Sequence, residues 1–231
     1  MKILITNDDG INSIGIKQLT IEALKIADEV LVVCPNEEKS AISQGITIRN
    51  NVEVKKVKDL VEGVNTYTLT ATPADCVIFA ISNLEYKPDV IFSGINNGYN
   101  LGKNILYSGT VGSITEGALS GFKGIAFSAE VGCSGNIKYF LDIYKYIKEE
   151  KLLEKYNLLN INIPNDPKGI KMTKQGKCHE KSYFEKSDKE GIYIPRYYRL
   201  ENVELEESSD IITIEKGYIS ISPLTEDRTK Y

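Results

Sequence analysis

The sequence predicts an α/β fold: a three-layer, doubly wound, mostly parallel sheet of the Rossmann-like kind, followed by a β-rich C-terminal extension. Three observations carry this. Apolar strand-length runs alternate with helix-period segments over the first ~165 residues. The run EVLVVC (29–34) is apolar almost throughout, as a strand buried on both faces must be. After Pro164 the helical period disappears and a polar, Tyr-rich stretch begins.

The elements follow in order. Lys2–Thr6 is a short β-rich run. Ile16, Leu19, Ala23, Leu24 and Ala27 form one apolar stripe on a helix over about 14–27. With Glu29–Cys34, ended by Pro35, these make a βαβ unit, which implies parallel strands and a right-handed crossover. Residues 46–71 read as a β-rich excursion: Ile46, Ile48, Val52, Val54 and Val57 partly alternate, and Tyr67–Ala71 is a further strand. Thr72-Pro73 then opens a helix, with Thr72 as N-cap, Pro73 in its first position and Asp75 in its first turn. Asp89–Phe92 is a buried strand ending at Ser93-Gly94, and a Gly/Asn-rich loop leads to a helix over about 110–120 with Val111, Ile114, Ala118 and Leu119 inward. Gly124–Ser128 is a strand, Ile137, Phe140, Leu141, Tyr144 and Ile147 mark a helix, and Leu158–Ile163 is a strand. We divide the chain into a core at 1–165 and an extension at 166–231, which contains the strand GYISISPL and a hairpin suited to self-association.

Composition narrows the function. With 231 residues the chain buries a core without staples, and 28 basic against 32 acidic residues give a net charge of −4. That leaves no basic field for a nucleic-acid polymer or an anionic membrane. No apolar run approaches the ~20 residues of a membrane span. The start, MKILITNDDG, reads as a first strand rather than a signal peptide. A single histidine excludes H-E-x-x-H zinc sites and two-His iron sites, and four scattered cysteines without C-x-x-C argue against a thiolate zinc site. Reduced cysteines point to the cytoplasm. Any metal should therefore be held by oxygen, which favours Mg²⁺ or Mn²⁺.

In an open parallel sheet ligands bind beyond the carboxyl ends of the strands. Three segments fall there: Asn7-Asp8-Asp9-Gly10, Pro35 to Ser40, and Ser93 to Gly98. Asp8 and Asp9 are the candidate metal ligands and catalytic acids, since adjacent carboxylates at the end of a buried strand repel each other until a cation joins them. The plainer alternative is a βα loop whose acids cap the next helix. The segment 93–117 is rich in glycine, and Ser108, Gly109 and Thr110 stand where a helix begins, a place that favours phosphate. It carries neither a Walker A loop nor a G-x-G-x-x-G fingerprint. An acidic cluster facing a phosphate-ready helix end suggests hydrolysis of a phosphate ester. His179 reads as a solvated loop residue, Cys34 and Cys76 as packing residues, and Tyr193, Arg196, Tyr197 and Tyr198 as an exposed or interface hairpin rather than a base-stacking platform.

The chain resembles the survival protein E (SurE) family of metal-dependent 5′/3′-nucleotidases. The resemblance rests on ILITNDDG, on Pro35–Ser40 with Ile46-Thr47, and on ATPADCV (71–77). It rests further on PDVIFSGINNGYNLGKNILYSGTVGSITEG (88–117) and, near the end, on Ser209-Asp210 and GYISISPL (217–224). It implies one divalent metal ion per subunit, held by Asp8, Asp9, Ser40 and Asn96, with Asn96 also beside the phosphate. It also implies a nucleoside monophosphate substrate and a homodimer or homotetramer. Two departures stand out: the family usually has Ser-Gly where Ser40-Ala41 stands, and often Arg where Lys39 stands. Two rival readings are a haloacid-dehalogenase-type phosphatase, which places its acids as D-x-D, and a receiver-like signalling module, which needs a phospho-accepting Asp after a later strand where Ser93-Gly94 stands here.

Overall fold

In the computed structural model, which describes residues 1–132, 134–178, 180–200, 203–227 and 229, the strands form one long sheet and one separate hairpin. Cys133 and His179 lie outside the described residues. The elements run β1 (Lys2–Thr6), α1 (Ile14–Ala23), β2 (Glu29–Pro35), β3 (Val54–Val57), β4 (Thr66–Leu69), α2 (Pro73–Ser82), β5 (Val90–Asn97) and α3 (Gly109–Leu119). Then come β6 (Lys123–Ala129), α4 (Phe140–Glu149), α5 (Leu152–Lys155), β7 (Leu158–Ile163), β8 (Ile170–Met172), β9 (Glu180–Lys186), β10 (Tyr193–Arg199), α6 (Asp210–Glu215) and β11 (Ile219–Leu224). Short 3₁₀ turns cover Gly102–Leu106 and Ser134–Tyr139.

The nine-stranded sheet has the order β3-β4-β2-β1-β5-β6-β7-β11-β8. From β4 to β7 every pairing is parallel. The chain winds outward from β1 through β2 to β4 and then returns to lay β5 on the other side of β1. The ends of β1 and β5 therefore flank a switch point, where an open sheet leaves a crevice.

Strand alternation builds the two outer layers. Ile3, Ile5, Val32, Phe92, Ile125 and Phe127 point to one face, where Ile16 and Leu19 of α1 and Phe140, Ile143 and Ile147 of α4 cover them. Phe92, Phe127 and Phe140 meet with ring centroids 5.4–5.9 Å apart. Leu4, Leu31, Val33, Ile91 and Ala126 point to the other face, beneath Cys76, Val77 and Ala80 of α2 and Val111, Ile114 and Ala118 of α3. Burial pushes the Cys34 thiol up to about 12 and holds that of Cys76 well above the ordinary thiol value, so both are inert packing residues.

Several expectations need correction. Helix α1 stops at Ala23 rather than 27; Leu24 is 41% exposed, and the last turn tightens, with Lys25 N–H on the Glu22 carbonyl. Of the excursion at 46–57 only Val54–Val57 is a strand; it pairs antiparallel with β4 at the sheet edge, and Ile48 stays exposed because nothing covers that edge. Leu119 and Leu141 face outward, one residue round from the buried Ala118 and Phe140. Strand β5 does not end at Ser93-Gly94 but continues to Asn97 through a register shift against β6. Gly94 makes the shift sterically allowed: its φ is +129°, and a Cβ there would lie 2.3 Å from the Phe127 carbonyl oxygen.

Beyond Pro164 the chain returns to the sheet. β11 pairs antiparallel with β7 and parallel with β8, while β9 and β10 form a separate two-stranded hairpin whose residues are nearly all exposed. Helix α6, capped by Ser209, has no counterpart in the sequence reading. Among the described residues no helix is long and apolar enough to cross a membrane.

The start of α2 is as the sequence predicts. Thr72 Oγ accepts from Asp75 N–H, and the Asp75 carboxylate accepts from Thr72 N–H, a reciprocal capping box behind Pro73. Asp75 also accepts from the N–H and hydroxyl of Thr47. Thr72→Ala is expected to cost about 1 kcal/mol and lower the Tm by about 2–4 °C in thermal circular dichroism.

Candidate active site

The site begins at the end of β1. Asn7 shapes the turn by donating its amide to the Gly10 carbonyl (2.9 Å) and to Ser13 Oγ (2.9 Å). The turn aims Asp8 at the first residues of α3. Asp8 is 3% exposed; its carboxylate accepts from the Thr110 hydroxyl and, at 3.2 Å, from the Thr110 N–H. A helix N-terminus stabilises a carboxylate in that position. Asp9 is half-buried and turns toward β5, where one oxygen accepts from Asn97 N–H at 3.2 Å. Gly109 allows the approach: a Cβ there would lie 2.9 Å from Asp8 Cβ and 3.2 Å from Asp8 Oδ2.

The loop after β2 is stitched to this turn. Lys39 N–H donates to the Asp8 carbonyl (2.7 Å), and Ile11 N–H to the Pro35 carbonyl (3.0 Å). Ser40 stands on the exposed rim with its hydroxyl donated to Glu38 at 2.5 Å. The far side of the loop is held by Ser43 N–H on the Tyr107 carbonyl (2.8 Å), by Gln44 on Glu116 (2.9 Å), and by Thr47 on Asp75. It lies directly on α3, where a Cβ at Gly112 would sit 2.4 Å from the Ser43 carbonyl oxygen. Ala41 has φ +56°, the left-handed region that costs a residue with a Cβ about 1 kcal/mol. This is the physical reason a glycine suits that position.

At the end of β5, Asn96 donates its amide to the Gly98 carbonyl at 2.7 Å, which leaves its amide oxygen as an acceptor. Asp8, Asp9, Ser40 and Asn96 all line one cavity of about 400 Å³, with Glu38, Asn100, Asn104, Tyr107 and Ser108 among its other walls. Of the residues expected to meet phosphate, Ser108 lines the cavity while its oxygen caps Val111 N–H (3.2 Å). Thr110 is fully buried, with both donors engaged by Asp8, so it reaches the cavity only through that carboxylate. The Ser108 hydroxyl hydrogen and the Gly109 amide remain to face an anion.

The electrostatics are those of an acidic site awaiting a cation. Burial raises the Asp8 pKa despite the Thr110 hydrogen bonds, and Glu38 adds to the rise. Burial and then the Asp8 charge push Asp9 up to about 6. Among the described residues no lysine or arginine pairs with either; the Lys39 ammonium is on Glu37 at 2.6 Å. Nor do the described residues contain a cluster of three His, Cys, Asp or Glu side chains built to hold an ion. The donors are instead two carboxylates, a hydroxyl and an amide oxygen, a set that fits a hard divalent cation with room for water and phosphate oxygens.

Sequence reasoning missed the supporting residues. Asn100 sits under the cavity, its N–H on Asn162 Oδ1 (2.8 Å), its amide on Ser128 (2.9 Å), and its carbonyl accepting from Asn160 and Asn162. Polar residues at buried positions of β7 were the available signal. The buried Asp210 holds Gly102 N–H (2.9 Å) and Gly176 N–H (2.8 Å), fixing the loop from the C-terminal side.

Two predictions follow from this geometry. Asp9 binds its proton more tightly folded than unfolded, so its contribution to stability is full below the ordinary 3.8 and is lost as pH rises through about 6. With EDTA present, Asp9→Asn is therefore expected to melt higher than the parent at pH 7.5, and the difference to vanish toward pH 4, as read by scanning calorimetry. Ala41→Gly relieves the left-handed strain and is expected to be neutral to stabilising by up to about 1 kcal/mol in urea denaturation, although glycine costs unfolded-state entropy.

The family model described as survival protein SurE matches residues 3–182 of this chain. A protein named 5′-nucleotidase SurE from Thermoanaerobacter sp. (strain X514) is 42% identical over 246 residues, spanning 100% of this chain and 94% of the relative. One of the same name from Clostridium botulinum (strain Eklund 17B / Type B) is 37% identical over 100% of this chain and 96% of its own. The crystal structure of the SurE protein from Aquifex aeolicus is similar with a TM-score of 0.82 and 38% identity, covering 100% of this chain and 96% of that one. On its sequence, its sheet order and the full length of these matches, the chain belongs to the SurE family.

Proposed function

We propose that this chain is a divalent-metal-dependent 5′-nucleotidase that hydrolyses nucleoside 5′-monophosphates, and 3′-monophosphates as second substrates, to nucleoside and phosphate. One observation carries the reading: two adjacent, desolvated carboxylates without a cationic partner stand beside the start of α3, in a chain of the SurE family. Relatives at 37–42% identity carry the name 5′-nucleotidase.

Asp8, Asp9, Ser40 and Asn96 are assigned to hold one Mg²⁺ or Mn²⁺ per subunit. When bound, the cation supplies positive charge to the phosphoryl oxygens and acidifies water. The remaining work belongs to the chain. Asp8, tied at both oxygens to Thr110, keeps its position. Asp9, less buried and held by a single amide, is assigned the proton of the attacking water. The Ser108 hydroxyl, the Gly109 amide and the positive end of α3 meet the phosphate charge, with Asn96 beside them. Water adds to phosphorus as the bond to the ribose oxygen breaks, and the leaving alkoxide takes up a proton. Positioning and charge stabilisation account for most of such a rate.

The adjacent acids do not match the D-x-D spacing of a haloacid-dehalogenase-type phosphatase, and no aspartate follows Phe92 to serve a receiver module. We also assign the chain to the cytoplasm, where the buried free thiols of Cys34 and Cys76 remain reduced, and to a homodimer or homotetramer built through 166–231. A two-stranded hairpin alone is marginal in water, and β9–β10 exposes Tyr183, Phe184, Ile194 and Tyr198, which suits burial against a second copy.

The test is phosphate release from a panel of 5′- and 3′-monophosphates with Mg²⁺, Mn²⁺ or EDTA. Release is expected with metal and abolished by EDTA. Asp9→Asn with Mn²⁺ is expected to lose about 100-fold or more in kcat; near-normal release would refute the assignment.

A further inference from the structure

Two cavities meet along the loop between β5 and α3. Asn104 and Tyr107 line the active-site cavity, and the same two residues line a second cavity of about 350 Å³ closed by Lys103, Glu180, Ser182 and Tyr197. We propose that this second cavity takes the base of the nucleotide, with Tyr107 and Tyr197 as stacking faces and Asn104 and Ser182 at the base edge. The inference rests on the nucleotidase reading and adds to it the residues that separate a nucleotide from other phosphate esters.

Continuity is the leading argument. Tyr107 directly precedes Ser108, so a phosphate at the start of α3 and a base against Tyr107 are one short ribose apart along the wall. The chemistry agrees. A base offers a π face and a hydrogen-bonding edge, and this cavity offers two phenol rings, an amide and a hydroxyl.

The walls are fixed before any ligand arrives. The Tyr107 carbonyl accepts from Ser43 N–H, and the Asn104 carbonyl accepts from the N–H groups of Tyr107 and Ser108, at 3.1 Å each. Lys103 Nζ donates to the Glu180 carbonyl at 2.9 Å, tying the loop to the foot of the hairpin. Ser182 and Tyr197 are opposite one another across β9 and β10 and so share a face. The two rings are open, Tyr107 at 56% and Tyr197 at 75% exposure, whereas Tyr198 on the other face is engaged with Tyr183 at 5.8 Å.

The rival space is a cavity of about 500 Å³ beside α3, lined by Ile105, Leu106, Val111 and Leu224 among others. It meets the active-site cavity only at Ser108, which is itself 5% exposed. Its entrance from the phosphate position is therefore the closed one.

The experiment compares AMP with ribose 5-phosphate, the same phosphate on a sugar without a base, in the full chain with Mn²⁺. Removing a stacking ring is expected to raise KM for AMP by about 5- to 100-fold with kcat within about twofold. Tyr197→Ala should show this while ribose 5-phosphate is unaffected, and Tyr197→Phe should restore AMP. Tyr107→Ala is the second variant, with the same expected preference for AMP over ribose 5-phosphate in its loss. Unchanged KM for AMP in both alanine variants, or equal losses on both substrates, would overturn the base cavity while leaving the phosphatase reading intact. Release from neither substrate by the parent protein would instead refute the phosphatase reading, and the base cavity with it.

Discussion

The site depends on one contact: the Asp8 carboxylate seated on the N–H and hydroxyl of Thr110, 102 residues away in sequence. It joins the end of the central strand to the start of α3 and brings a buried negative charge to a helix N-terminus. Gly109 leaves room for it, and Gly112 lets the loop that carries Ser40 lie flat on the same helix. Moving Asp8 would move the frame against which each other ligand is placed.

This arrangement is unstable as chemistry and stable as structure. Asp9 stands beside Asp8 with one amide for support, and both carboxylates are held above their ordinary values by burial. The surrounding polar groups (Asn7, Asn97, Thr110) satisfy geometry without neutralising charge. A fold that leaves two acids unneutralised at a switch-point crevice gives up some stability in return for cation affinity. The same trade places a tight loop at Ala41 in a conformation that a Cβ disfavours.

The loop between β5 and α3 links the chemistry to the rest of the chain. Asn160 and Asn162 hold it at Asn100 from β7, Asp210 and Gln175 hold Gly102 from the C-terminal region, and Lys103 holds the hairpin. The segment after Pro164 is therefore not remote from the site: strands β8 and β11 extend the sheet, and the hairpin ends beside the cavity that carries Tyr107.

Sequence alone determined the elements whose pattern reports a local constraint. The apolar runs of β1, β2 and β7 could be only strands buried on both faces, Thr72-Pro73-x-Asp75 could be read as a cap because every contact it needs lies within four residues, and Asp8-Asp9 announced a charge conflict wherever the chain might place it. Tertiary structure decided what no local pattern encodes. It carried β5 past Gly94 to Asn97 because the Phe127 backbone leaves space only for glycine there, and it spent the donors of Thr110 on Asp8 rather than on an anion. It left Ile48 uncovered at an edge strand, and it assembled the Asn100–Asn160–Asn162 floor from strands that are neighbours only in space. The division is physical: periodicity and capping are set by residues a few positions apart, whereas register, burial of a polar side chain and the identity of a hydrogen-bond partner are set by whichever distant backbone the fold brings alongside.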